Sequence, residues 1–345
     1  MVKLRVTNWR CIEDLEVELA KINVFIGPNS TGKSSLAYAI YFASKSSRGA
    51  YDPSHLINQL YGHGFDKVVR IVGDKPQYPI SIKIGESEFS VRPKGQELEV
   101  IKAPSSPWAD EFLLPSKRVG YVQIAMLLSK IVSELTKKAE TSTLVFFGGM
   151  FIDLLKRIPL LPPFSVFADD YGRAFTGLRL ESVRGSSPGA GSYAVYVHFL
   201  FSLVELVFQD PYVNLQLPVE LAPDGLLDFT ITDSIMLKAP ENSLVVVEEP
   251  EIHKNPLMVK DFTELIVRRA LERKLTVVAT THSDIVPITI GKLVAKRELR
   301  PEDVKVYYFK RDGANPWTKV SEIKVYQDGT LETLPNSEEL ITHLF

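Results

Sequence analysis

The sequence predicts an α/β fold: a mixed central sheet with an N-terminal antiparallel β-layer and a helical lobe inserted between the two halves of the sheet. Three observations lead there. A strand, a glycine-rich turn and a helix follow one another between Leu15 and Ala43. Two strongly apolar strands, Leu244 to Val247 and Leu275 to Thr280, come late in the chain. A long stretch of helical periodicity separates these two parts. At 345 residues the chain can bury a sizeable core, as one large domain with an insertion or as two ordinary domains.

Each element has its own signal. Lys3 to Thr7 and Leu15 to Ile26 carry strand chemistry, because Leu15, Val17 and Leu19 alternate with acidic residues before Ile22-Asn23-Val24-Phe25-Ile26 becomes almost continuously apolar. Ser34 to Ala43 then places Leu36, Ala39, Ile40 and Ala43 at helical spacing. From Pro79 to Lys102 the period returns to two, predicting an antiparallel meander with turns at Gly85 and Lys94-Gly95. Tyr121 to Ile158 reads as helix, closed by Pro159, Pro162 and Pro163, and a further helix is expected from Ser192 to Gln209. Strand chemistry resumes at Tyr212 to Leu217, a helix is expected from Leu226 to Leu237, and the two late strands follow. The tail reads as two more strands and a closing helix from Ser337 to Leu344. The expected division is therefore 1–120 for the first half of the α/β unit, 121–211 for the helical lobe and 212–345 for the second half.

Composition excludes several classes. With 45% hydrophobic and 24% charged residues the chain is neither disordered nor repetitive. A net charge of −2 gives no global basic field, so nucleic acid would have to be met by a local patch. Arg268, Arg269, Arg273 and Lys274, and the stretch from Lys292 to Arg300, are the basic clusters, diluted by glutamates into what reads mainly as solvated helix faces. The single cysteine, Cys11, makes no intramolecular disulfide, and the N-terminus lacks a signal-peptide profile, so the expected compartment is the cytoplasm. The most apolar stretch, Ala194 to Phe208, is too short to span a bilayer and is interrupted by His198 and Glu205, so no membrane partner is expected. Asp169-Asp170 and the scattered histidines have no metal-ligand spacing.

Chemistry concentrates in three places. Gly27-Pro28-Asn29-Ser30-Thr31-Gly32-Lys33-Ser34, followed by Ser35, has the Walker A spacing, in which small residues let backbone N–H groups curl round phosphate oxygens at a helix N-terminus. Lys33 would neutralise the β- and γ-phosphates of ATP and Ser34 would place its hydroxyl on Mg²⁺. Second, Leu244 to His253 delivers two carboxylates to a strand end: Glu248 for the metal, Glu249 as general base or water-orienting group. Read alone, these carboxylates are a solvated acidic turn; beside a P-loop they become a Walker B element. Third, the strand Leu275 to Thr280 runs into Thr281, His282 and Asp284, where the histidine can reach the γ-phosphate.

Together the opening LRVTNWRCIEDLEVELAKINVFIGPNSTGKSS, EEPEIH and TTHSD resemble the ABC-class AAA ATPase heads of the SMC, RecF and OLD type, in particular OLD-like ATPases without a nuclease domain. The resemblance implies a P-loop NTPase head that dimerises around two ATP molecules and acts as a motor or switch in DNA maintenance or anti-phage defence. DNA or a nuclease or effector protein would be its partner. It also implies a signature segment that caps the ATP of the second subunit. Leu221 to Leu226, with Asp224 and Gly225 opening a helix, is one assignment; Ser186 to Ser192 is the other. Arg118 looks like the family's proline-small-x-arginine element approaching the nucleotide, with Gln123 as rival, and Arg10 matches an arginine after the first strand that contacts nucleotide or is a surface charge. Two departures stand out. Pro223 occupies the usual serine of the signature, and Glu248 replaces the usual aspartate, pushing the metal-side carboxylate out by about 1.5 Å. If these departures stop turnover, the alternative is an ATP-gated dimerisation scaffold.

Overall fold

The computed structural model describes residues 1–49, 51–95, 97–103, 105–123, 162–175, 182–187, 191–198, 203–210, 215–218, 223–313 and 315–334. The first strands are β1 (Val2–Trp9), β2 (Ile12–Leu19) and β3 (Ile22–Ile26), followed by helices α1 (Lys33–Ser46) and α2 (Pro53–Tyr61). The short pair β4 (Ile71–Val72) and β5 (Lys75–Pro76) precedes the predicted meander, β6 (Ile80–Ile84), β7 (Ser87–Lys94) and β8 (Glu97–Ile101). Gly85 and Gly95 turn the chain at positive φ where the sequence placed the turns. These strands form an antiparallel layer in the order β2-β1-β6-β7-β8.

The second layer is the central sheet. β9 (Glu111–Leu114), β14 (Leu244–Glu248), β15 (Thr276–Thr281), β16 (Val304–Lys310) and β17 (Lys319–Ile323) join β3 in the order β17-β16-β3-β15-β14-β9. All pairings are parallel except β16 with β17, so the sheet is mixed. A parallel sheet covered on both faces explains the unbroken apolar runs seen in sequence. Ile22, Val24, Ile26, Val245 and Val247 face one core, built with the helices Asp224–Lys238, Pro256–Glu272 and Ile285–Ala295. Phe25, Leu244 and Val246 face the other, where α1 lies between the central sheet and the antiparallel layer. Burying one such side chain stabilises by about 1.5–3 kcal/mol, so the strand ends are held on a stiff base. Asn23 is fully buried within β3, yet satisfied by the Ala20 N–H and the Ala20 and Val277 carbonyls, which pins the strand's start.

Between β9 and the helix Asp224–Lys238 the described residues hold the helix Phe164–Phe175 and a four-stranded antiparallel sheet, β10 (Ser182–Ser187), β11 (Gly191–His198), β12 (Leu203–Asp210) and β13 (Leu215–Pro218). This corrects the helix expected from Ser192 to Gln209. That stretch is two paired strands, with Val195 opposite Leu206. Tyr193, Val195, Tyr196, Val197, Val204, Val207 and Phe208 give it the β-branched and aromatic content of strands, and a short apolar run cannot be assigned by periodicity alone. Most of the helix expected from Tyr121 to Ile158 and the closing helix Ser337 to Leu344 lie outside the described residues; the chain is helical over 118–123. No helix among the described residues is long and apolar enough to cross a membrane.

Candidate nucleotide site

The P-loop bridges β3 and α1. Gly27 sits at φ 147° and Gly32 at φ 107°, and both are hemmed in from behind: a Cβ on Gly27 would lie 2.2 Å from the Phe309 carbonyl oxygen of β16, and one on Gly32 2.4 Å from Thr318 Oγ1. Only glycine fits at either place, both for φ and for space. The loop closes on itself through Thr31 Oγ1, which donates to the Pro28 carbonyl at 2.8 Å, while Thr318 Oγ1 donates to the Thr31 carbonyl at 2.9 Å. Pro28, Asn29 and Ser30 form its exposed rim. Lys33 folds back to donate to the Gly27 and Pro28 carbonyls, each at 2.7 Å. Burial pulls its ammonium down to about 8, against the pull of the Glu249 and Glu251 carboxylates.

β14 and β15 end beside the loop. Glu248 is the last residue of β14 and is 6% exposed. Its carboxylate accepts from Tyr38 Oη of α1 at 2.7 Å and from the Ser116 N–H at 3.4 Å, and it meets the Ser34 hydroxyl. Burial raises its pKa above the ordinary value, against these hydrogen bonds. Glu249 follows at φ 45°, a strained conformation for a non-glycine residue, its N–H donating to the Thr280 carbonyl at 2.8 Å. That kink turns the side chain toward His282, whose Nε2 lies 3.8 Å from Glu249 Oε1, both about one-third exposed. The other ring nitrogen, Nδ1, lies 3.4 Å from Lys33 Nζ. His282 and, more weakly, Lys33 hold the Glu249 carboxyl below its usual range. Lysine, imidazole and carboxylate thus converge on the mouth of the P-loop.

Sequence reading missed Glu251. Its carboxylate accepts from the His282 N–H at 2.6 Å and from Thr281 Oγ1 at 2.8 Å, tying the turn after β14 to the turn after β15. As the third acidic residue of EEPE it carried no signal of its own beyond the motif.

The remaining candidates are scattered. Ser35 is turned back, its hydroxyl receiving the Cys11 thiol at 3.8 Å. Arg10 is exposed at φ 53°, its guanidinium 4.9 Å over the Tyr61 ring. Arg118 is fully buried and bonded to Asp228, to the Pro115 carbonyl and to the Glu248 carbonyl, so its guanidinium faces the interior. Gln123 Nε2 donates to Asp224 Oδ1 at 2.9 Å. Asp224 and Gly225 open the helix Asp224–Lys238, with Pro223 at its N-cap. Gly225 is required by close approach, since a Cβ there would lie 2.6 Å from the His253 carbonyl oxygen. Of the rival signature segment, Ser186-Ser187 end β10 and Gly191-Ser192 begin β11, the two arms of a β-ladder. Within the basic clusters Arg269 pairs with Asp233, Lys274 with Glu241, Lys296 with Glu298 and Arg300 with Asp303.

The donor set suits Mg²⁺. A buried carboxylate and a partly exposed hydroxyl supply hard oxygens, and Mg²⁺ typically takes one or two protein oxygens plus phosphates and water rather than an all-protein cage. No three His, Cys, Asp or Glu side chains cluster as a metal cage among the described residues.

Comparisons with known proteins bear on the family and the fold. No curated protein matches the chain in sequence. Among solved structures, an SMC head bound to the C-terminal winged-helix domain of ScpA superposes with a TM-score of 0.55 at 11% identity, covering 94% of this chain and 98% of that one. An SMC head with an extended coiled coil, bound to the C-terminal domain of ScpA from Pyrococcus furiosus, gives 0.52 at 12% identity over 100% of both chains. At such identities the likeness is one of fold. Residues 22–288 match the family described as "AAA domain, putative AbiEii toxin, Type IV TA system", a span that runs from the P-loop strand past His282. The chain belongs to that AAA-domain family and has the fold of the SMC heads.

Proposed function

We propose that this protein binds and hydrolyses ATP with Mg²⁺, and that two copies close around the nucleotide to act as a switch. The observation that carries this is the convergence of Lys33, His282 and Glu249 at a glycine loop that admits no other residue at 27 or 32. Backbone N–H groups of 27–35 and the start of α1 would cradle the phosphates. Lys33, presently on neutral carbonyls, would move its charge onto the β- and γ-phosphates. Glu249, kept ionised by its neighbours, would orient and deprotonate the attacking water, and His282 would stabilise charge developing on the γ-phosphate. Ser34 and Glu248 would hold Mg²⁺, which supplies charge neutralisation when bound. Asp224 and Gly225, at a helix N-terminus, suit the trans cap better than 186–192, whose described ends are strands.

A second reading, a nucleotide-gated scaffold with little turnover, is favoured by one observation: Glu248 is longer than the usual aspartate and is already held by Tyr38. Its partner would be a protein, as in the ScpA-bound heads of similar fold, rather than DNA, given how many basic residues are already paired. Steady-state ATP hydrolysis by wild type and Glu249→Gln, with light scattering with and without Mg-ATP, decides. Turnover lost in the variant, which then accumulates as a dimer, supports the switch. ATP binding without wild-type turnover leaves the scaffold, and no ATP binding sinks both.

A further inference from the structure

Arg118, Asp228 and Lys254 form a buried charge cluster that no step above uses. Arg118 stands where the chain leaves β9, Asp228 one turn into the helix Asp224–Lys238, and Lys254 in the turn after β14; their side chains are 0%, 1% and 0% exposed. Asp228 takes a bidentate grip from Arg118, with Nη2 to Oδ2 at 2.7 Å, and a further bond from Lys254 Nζ. Thr232 Oγ1 donates to its Oδ1 at 3.3 Å, so all acceptor sites of the carboxylate are taken. Arg118 Nη1 reaches on to the Glu248 carbonyl at 2.6 Å, the peptide unit that leads into the strained Glu249. Lys254 also donates to the Ile252 carbonyl at 3.0 Å and lies 4.0 Å over the Phe262 ring. The close approach of Gly225 to the His253 carbonyl closes the same circuit from the other side.

We propose that Arg118, Asp228 and Lys254 are positioning residues: a charged strut that makes the Glu248–Glu249 strand end, the turn to Lys254 and the start of the helix Asp224–Lys238 one rigid body. Contact of a second copy with that helix start is then transmitted to Glu249, and nucleotide at the P-loop is transmitted outward to the helix. A planar guanidinium gripping one carboxylate and one carbonyl suits this, because it fixes direction as well as distance. The inference rests on the proposed ATP-dependent pairing, and it reassigns Arg118 from nucleotide contact to support.

The test is hydrogen exchange on the full chain in a Glu249→Gln background, with and without Mg-ATP. Protection is expected in both 27–36 and 223–230. Adding Lys254→Met, which leaves the Arg118–Asp228 pair intact, should keep protection at 27–36 and lose it at 223–230; Lys254→Arg should restore it. In the otherwise native chain Lys254→Met should lower kcat about tenfold with KM for ATP unchanged, the pattern of lost transition-state positioning. If 223–230 stays protected with Lys254→Met, or the variant lowers only the unfolding temperature and leaves kcat intact, the strut is overturned as a positioning device. Protection at 27–36 alone in the Glu249→Gln parent also overturns it while sparing the site. Protection at neither segment takes down the site and the strut together.

Discussion

Two lysines in this molecule share one electrostatic condition and differ in everything around it. Burial pulls both Lys33 and Lys254 down to about 8. Lys254 lies against a carboxylate that is itself held by an arginine, and its side chain is wholly buried. The hydrogen-bond acceptors of Lys33 are main-chain carbonyls, beside an imidazole that is one-third exposed. The buried lysine has its anion built in, so its charge serves architecture; the lysine at the loop is hydrogen-bonded to neutral carbonyls, with Glu249 and Glu251 acting on it through space, and favours an anion arriving from solvent. The same contrast separates Asp228 from Glu249: one carboxylate spends all its lone pairs on support, the other is half-open beside a histidine.

The sharpest way to break the contrast is Glu249→Gln. If the open cluster does the chemistry, kcat falls by about 10²–10⁴-fold with ATP still bound, as for loss of a general base; a loss under fivefold in single-turnover assays would show that another group activates water. Glu251→Ala comes next. It frees the His282 N–H and Thr281 Oγ1, and a hydrogen bond to a charged group of about 1.5–3 kcal/mol corresponds to roughly ten- to a hundredfold in kcat. Unchanged turnover would mean His282 needs no such anchor. Tyr38→Phe removes the 2.7 Å bond to Glu248, and should shift the Mg²⁺ concentration for half-maximal ATP binding by about three- to tenfold. A titration that does not move would place Glu248 away from the metal.

Legibility followed the same boundary. The loop 27–35 was readable because its chemistry is local: small residues, then a lysine and serine, between a strand and a helix that the apolar pattern marks on its own. The strands before Glu248 and His282 were readable because a sheet covered on both faces leaves continuous apolar runs. Arg118 and Glu251 were not, because their partners are set by the fold: Asp228 stands 110 positions away and Thr281 30. An arginine in the order proline-small-x-arginine suggests a nucleotide, and only the buried aspartate across the core shows what its guanidinium touches. β11 and β12 were read as one helix because an apolar stretch of that length fits either period until its β-branched content is weighed.

The pH dependence sharpens the opening contrast directly. In the free protein Lys33 is charged below about pH 8 and loses its proton above it, so kcat/KM for ATP should fall by up to about tenfold per pH unit above 8. The kcat should not follow, since bound phosphate keeps the proton on Lys33. Lys254→Met should leave this limb in place; if the limb disappears, the buried lysine rather than the loop lysine is the group being titrated.

The backing of the P-loop has a consequence for how the chain comes to exist. Gly27 is pressed by Phe309 and Gly32 by Thr318, and β3 lies between β15 and β16 in the central sheet. A nascent chain therefore carries the glycine-rich loop from the start, while the residues that press on it from behind, Phe309 and Thr318, leave the ribosome late. Until β15 emerges β3 has two bare edges, and until β16 emerges it keeps one, the kind of surface that recruits strands from other chains. Synthesis stalled before Val304 would release a product with the complete motif and an unbraced cradle, so the site is assembled last although it is translated first.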